Sequence, residues 1–162
     1  MIAVVMGVSG SGKTAIGAGL AAELGWRFID ADDYHPEANV AKMAAGQPLD
    51  DEDRWPWLDR LNSILKEERQ AVLACSALKE RYRARIASGI ASIEWIYLKG
   101  DFDLIRSRLL QRQHRYMPVS LLESQFAALE PPSRAITIGV NADVATCVGE
   151  ILAKLTGKTS RK

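Results

Sequence analysis

Cysteine is nearly missing from this chain: Cys75 and Cys147 are the only two among 162 residues. Two thiols are too few for a disulfide scaffold, and they lack the paired spacing of a zinc site, so a reducing cytosol is the natural setting. A charge of one sign is missing as well. Lys and Arg total 21 against 20 Asp and Glu, a formal net charge of +1. That balance excludes the global basic field that draws nucleic acid or an anionic membrane, and neither partner is expected. No apolar run approaches the roughly 18 residues of a membrane span, and no basic segment leads into a cleavable apolar stretch. The expected location is therefore cytoplasmic. Internal repeats and low-complexity tracts are also lacking, apart from a short polar tail over 158–162.

What the chain does have is a regular alternation. Apolar runs rich in β-branched or aromatic residues lie at 2–6, 26–29, 71–75, 93–98 and 135–140. Most lack polar alternation, as strands buried on both faces of a parallel sheet do. Between them apolar residues recur at helical spacing: Ile16, Leu20 and Leu24; Leu58, Leu61 and Leu65; Ile105 and Leu109; Val144, Val148, Ile151 and Leu155. Each set predicts one buried stripe per helix. Strand and helix alternate about five times, which predicts an α/β fold with a five-stranded parallel sheet flanked by helices in three layers. At this length one domain is expected, over 1–157.

The first apolar run ends in "GVSGSGKT", residues 7–14. Gly7, Gly12, Lys13 and Thr14 satisfy G-x-x-x-x-G-K-[ST], with a strand before and a helix after, the context a P-loop requires. Glycines let backbone N–H groups close around phosphate oxygens without a Cβ in the way. Gly7, Ser9, Gly10, Ser11, Gly12, Lys13 and Thr14 are accordingly the candidate nucleotide-binding residues. Lys13 supplies a point charge to the β and γ phosphates, Thr14 a hydroxyl for Mg²⁺, and the helix N-terminus a partial positive charge. No "NKxD"-like guanine signature occurs, and the chain is too small for the machinery of most motor ATPases. Small P-loop kinases remain.

Further candidates cluster where strands end. "FIDADDYHP" places Asp30, Asp32 and Asp33 at the C-terminal end of the second strand, the edge where open α/β sheets bind ligands. An acid there can orient or deprotonate a hydroxyl for attack on a γ-phosphate, or it can cap the next helix. His35 is either a substrate donor or a turn residue before Pro36. Arg54, a cation among acids, suits an anionic substrate. After the third strand come Lys79, Arg81, Arg83 and Arg85, with Lys79 and Arg83 spaced to share a helix face. No clear acid ends that strand, so the metal is expected on Thr14, phosphates and water, with Asp32 the one further candidate. Arg108, Arg112 and Arg115 fall on one helix face without intervening acids, which suits a mobile lid over about 112–119 that brings cations to the transferring phosphate; a solvated basic face is the alternative.

Together these segments resemble the gluconate kinases of the shikimate-kinase-like P-loop group. The resemblance rests on "MGVSGSGKT" at 6–14, "DADDYHP" at 30–36, the run Asn39, Lys42, Met43, Gly46, Pro48, Leu49, Asp51, Asp53, Arg54, Trp57 and Leu58, "CSALKERYR" at 75–83, "YLKGDFDLI" at 97–105 and "MPVSLLESQFAALEPP" at 117–132. It implies phosphorylation of D-gluconate at its 6-hydroxyl with ATP and Mg²⁺, by a cytoplasmic homodimer feeding the pentose phosphate route. It also implies that Asp32 meets the accepting hydroxyl and Arg54 grips the substrate carboxylate. With the cation pattern it yields a candidate set: catalytic Lys13, Asp32 and Arg112; nucleotide-binding Arg108 beside the loop; substrate-binding Asp32, His35, Arg54, Lys79, Arg83 and Arg115. Two positions depart from the pattern: Arg115 stands where a lid histidine is usual, and Ala31 where glycine is common. Apart from the resemblance, the residues also allow a shikimate kinase, another small-acid kinase or a nucleotide-binding regulatory module.

Overall fold

A computed structural model describes residues 1–111 and 119–159. Five parallel strands form one sheet in the order β2-β3-β1-β4-β5: β1 Ile2–Met6, β2 Arg27–Asp30, β3 Ala71–Ala74, β4 Ile93–Lys99 and β5 Ile136–Gly139. In-register pairs such as Val4 with Leu73 and Val4 with Trp95 put β1 between β3 and β4. β1 is central, and its C-terminal loop opens into the crevice where the winding of the sheet changes direction, the place open α/β sheets use for ligands. The strands lie within about two residues of the apolar runs that predict them.

Around the sheet lie α1 Lys13–Leu24, α2 Glu37–Ala44, α3 Asp51–Lys66, α4 Glu80–Ala87, α5 Phe102–Gln111, α6 Val119–Ala128 and α7 Val144–Thr159. A single 3₁₀ turn, Ala31–Tyr34, follows β2. Strand periodicity sorts β1 between two cores. Ile2, Val4 and Met6 pack with Trp57, Leu58 and Leu61 of α3 and Ile86 of α4. Ala3 and Val5 pack with Ile16 and Leu20 of α1 and Val148 and Ile151 of α7. A third, smaller cluster joins Val8 of the loop after β1 to Ile105 of α5 and Leu122 of α6.

Local chemistry sets the helix ends that matter. Gly25, at φ +69°, closes α1, while the Trp26 N–H returns to the Ala21 carbonyl at 3.0 Å. α3 opens with a capping box: Asp53 N–H donates to Asp50 Oδ1 at 2.8 Å, and Asp50 N–H to Asp53 Oδ2 at 3.0 Å. Much of the acidic charge over 50–53 is therefore structural. α2 and α6 go beyond the apolar stripes named from sequence. α2 buries only Asn39, whereas Leu122 and Phe126 of α6 pack on α5 and on the loop after β1.

Candidate active site

The loop between β1 and α1 is shaped by its glycines. Gly12, at φ +97°, stands at the N-cap of α1 with no side-chain cap, and the first turn of α1 carries no acid of its own. At Gly10, φ +83°, a Cβ would stand 2.8 Å from Leu109 Cγ, so the loop backbone lies directly against α5. Lys13 Nζ donates to the Val8 carbonyl at 3.0 Å, which folds the cation back over the loop. Ser11 is fully buried, and its Oγ has no hydrogen-bond partner among the described residues. Ser9 turns toward α6: its N–H donates to Gln125 Oε1 at 2.8 Å, and Gln125 Nε2 donates to Ser9 Oγ at 3.0 Å. An uncapped helix N-terminus, a close-fitting glycine backbone and an adjacent ammonium suit a polyphosphate.

Next to this loop the end of β2 supplies two carboxylates with different duties. Asp30 Oδ2 accepts from Thr14 Oγ1 at 3.2 Å, and Asp30 Oδ1 accepts from the Asp32 N–H at 3.0 Å. Asp30 thus joins the metal-candidate hydroxyl to the backbone of Asp32. The Asp32 side chain is left 69% exposed, so it is open to an acceptor. Neither Asp32 nor Asp33 caps α2, whose N-cap is Pro36 without a side-chain bond. Among the described residues no group of three or more His, Cys, Asp or Glu gathers to hold a metal ion. The hard oxygens of Thr14 and Asp30 remain, a donor set suited to a magnesium ion held largely by phosphate and water.

His35 stacks on Trp57, with ring centroids 4.1 Å apart and planes 16° apart, and its side chain is only 5% exposed. Trp57 Nε1 in turn donates to the Ala31 carbonyl at 2.8 Å, tying α3 to the 3₁₀ turn. His35 Nε2 lies 3.9 Å from Asp32 Oδ1, and Nδ1 lies 3.4 Å from Asn39 Nδ2. Burial draws the imidazole below its ordinary pKa; Asp32 opposes that shift and Arg54 adds to it. The histidine is consequently neutral near pH 7, packed behind Asp32.

The cations separate into three situations. Arg54 Nη1 donates to Tyr82 Oη at 3.1 Å and lies 3.5 Å from Asp51 Oδ1, while Arg81 pairs with Asp51 Oδ2 at 2.7 Å. The Tyr82 hydroxyl, with Arg81 and Arg54, holds Asp51 below the usual carboxylate range. Two arginines thus converge on one acid, and sequence spacing alone did not bring Arg81 there. Lys79 is the half-buried N-cap of α4 and forms no ion pair with an acid among the described residues. Arg83 departs from its expected place beside substrate. It is 3% exposed, and its guanidinium serves the Ala77 carbonyl at 2.7 Å, the Glu130 carbonyl at 2.8 Å and Glu80 at 3.0 Å. Its donors are engaged by the protein.

Arg108 is half-buried on α5, close enough to Cys147 for its charge to counter part of the upward shift that burial gives that thiol. Arg112, Arg115 and the lid expected over about 112–119 lie outside the described residues, apart from Val119 at the start of α6. Cys75, at the end of β3, is pushed up to about 12 by burial and stays a thiol, so it is no nucleophile.

A phosphate loop at the switch point of a five-stranded parallel sheet, with acids at the end of β2, one strand beyond β3 on the same edge, defines a small P-loop kinase. A family profile described as shikimate kinase matches residues 9–128. Thermosensitive gluconokinase of Escherichia coli is 45% identical over 150 residues, covering 88% of this chain and 80% of that protein. Gluconokinase of Gluconobacter oxydans is 48% identical over 133 residues, covering 80% and 75%. The crystal structure of a gluconokinase from Sinorhizobium meliloti superposes with a TM-score of 0.88 at 39% identity, over 95% of this chain and 90% of that one. The chain belongs to the gluconokinase family of shikimate-kinase-like enzymes.

Proposed function

We propose that this enzyme transfers the γ-phosphoryl group of ATP to the 6-hydroxyl of D-gluconate, releasing ADP and 6-phospho-D-gluconate. The observation that carries the reading is the chain Thr14, Asp30, Asp32: one carboxylate joins the phosphate loop to the acid that faces the acceptor. Asp32 orients the 6-hydroxyl and takes its proton as the oxygen attacks the γ-phosphorus in line. The new O–P bond forms as the bond from the γ-phosphorus to the β–γ bridging oxygen breaks, and ADP keeps that electron pair. Lys13 leaves the Val8 carbonyl to stabilise charge on the β and γ oxygens. The loop N–H groups hold the phosphates, and Arg108, with Arg112 and Arg115 on the grounds of sequence, adds positive charge. Mg²⁺, when bound, would neutralise charge on the phosphates, and the oxygens of Thr14 and Asp30 would be the protein groups to hold it.

At the other end of the substrate, Arg54 and Lys79 receive the carboxylate, and Arg81 reinforces the charge through Asp51. His35 supports Asp32 from behind. A kinase domain over 1–157 with its lid over about 112–119, a cytoplasmic location and a homodimer complete the proposal; the last two rest on composition and family resemblance. ADP release, measured by a coupled assay with gluconate, with shikimate and with no acceptor, tests the reading. Turnover that depends on gluconate supports it. Preference for shikimate, or release independent of any acceptor, overturns it.

A further inference from the structure

α6 carries one polar residue in an otherwise apolar face. Leu122, Gln125, Phe126 and Leu129 follow helical spacing, and the three apolar members pack with Val8, Ile105, Leu78 and Phe102. A carboxamide on such a face is costly unless its hydrogen bonds are met. Gln125 meets them on a single residue, Ser9, the third position of the phosphate loop, through the pair of bonds at 2.8 and 3.0 Å. Those bonds span 116 positions of sequence, from the first loop of the chain to a helix that follows β4 and α5.

The pairing matters because of what the loop is made of. Between Gly7 and Gly12 the chain has three glycines at positive φ, so its backbone has more freedom to lose on ordering than ordinary residues have. Val8, on one side of Ser9, is anchored in the apolar cluster; Gly10, on the other, lies against Leu109. Ser9 itself has no apolar side chain with which to anchor, and the Gln125 carboxamide supplies that point instead. Its N–H is directed at α6, although sequence reasoning placed Ser9 among the nucleotide ligands.

We propose that Gln125 is a positioning residue of the phosphate loop: it holds Ser9 so that the loop is ordered before nucleotide arrives. It acts through Ser9 and need not touch substrate. The inference rests on the kinase reading for the purpose of the loop, but not on gluconate as the acceptor.

The experiment is titration calorimetry of the full chain with a non-hydrolysable ATP analogue and Mg²⁺, without acceptor, alongside thermal melting. Gln125→Ala should weaken analogue binding about ten-fold, the scale of two lost hydrogen bonds with an uncharged partner. Gln125→Glu keeps an acceptor for the Ser9 N–H but sets a negative charge beside the phosphates. It should therefore bind the analogue more weakly than Gln125→Ala while melting closer to wild type. In steady-state kinetics the KM for ATP should rise in both variants and that for gluconate should stay within about two-fold.

Analogue affinity unchanged in both variants overturns the proposal. So does a Gln125→Glu protein that recovers both melting and analogue affinity, because a plain structural stitch between α6 and the loop behaves that way. If Gln125→Ala does not fold, Gln125→Glu and Ser9→Ala carry the same comparison. Because analogue binding involves no acceptor, the result is read separately from the choice of substrate.

Discussion

Arg83 donates through Nη1 to the carbonyl of Ala77 at 2.7 Å, and Ala77 is the one non-glycine among the described residues at positive φ, +45°. A left-handed alanine costs energy that surrounding contacts must offset. Arg83 supplies such a contact and uses its other donors on Glu130 and Glu80, which links the loop after β3 to the segment after α6. Arg83→Met should therefore destabilise the fold by about 2–4 kcal/mol, since it strands the buried Ala77 carbonyl and gives up the bonds to Glu130 and Glu80. Urea unfolding measures this. A raised gluconate KM with unchanged stability would return Arg83 to the substrate site that its sequence spacing suggested.

Lys13→Ala should lower kcat by about a hundred-fold or more, because a charge that stabilises the β and γ oxygens matters most as transfer proceeds. Steady-state turnover of the folded variant measures it, and near-normal rates would remove the phosphate-cradle role.

Asp32→Asn should cut kcat by roughly 10² to 10⁴ while ATP affinity changes only a few-fold. Asp30→Asn should behave differently: Asp30 accepts from Thr14, so its loss should raise the Mg²⁺ concentration needed for half-maximal rate. Identical Mg²⁺ profiles for both variants would erase the division of labour between the two acids.

Arg54→Ala should raise the gluconate KM about ten- to a hundred-fold with little change for ATP, the worth of a hydrogen bond to a charged group. Glucose, which lacks the carboxylate, should be a poor acceptor for the unaltered enzyme. Equal use of glucose and gluconate would dispose of the carboxylate clamp.

The pH dependence follows from His35. Its pKa is lowered in the folded state by burial, with Asp32 and Arg54 the charged groups acting on it. The unfolded chain, with a histidine near its ordinary value of about 6.5, takes up a proton first as the solution is acidified. The stability from neutral His35 is thus fully present above about pH 6.5 and is lost as pH falls through the lowered folded value. Melting temperatures from pH 7.5 to pH 5 should fall less for His35→Phe, which keeps a ring on Trp57, than for the wild type. Parallel profiles would show that the imidazole charges freely in the folded protein.

The sequence by itself determined the α/β class, the five strands to within about two residues, and the phosphate loop, because buried parallel strands and a glycine-rich turn before a helix impose residue patterns at short range. It also brought Asp32 and Arg54 forward, since an acid at a strand end and a cation among acids stand out locally. Only the tertiary structure decided which face each cation serves. Lys79 and Arg83 have the spacing of one helix face, yet Lys79 caps α4 from outside while Arg83 is buried under the loop after β3, because helical spacing says nothing about where a helix begins. The meeting of Arg81 with Arg54 around Asp51, and of Gln125 with Ser9, joins residues far apart in the chain. Such contacts are set by the order of strands in the sheet and the packing of helices over it, which no local pattern encodes.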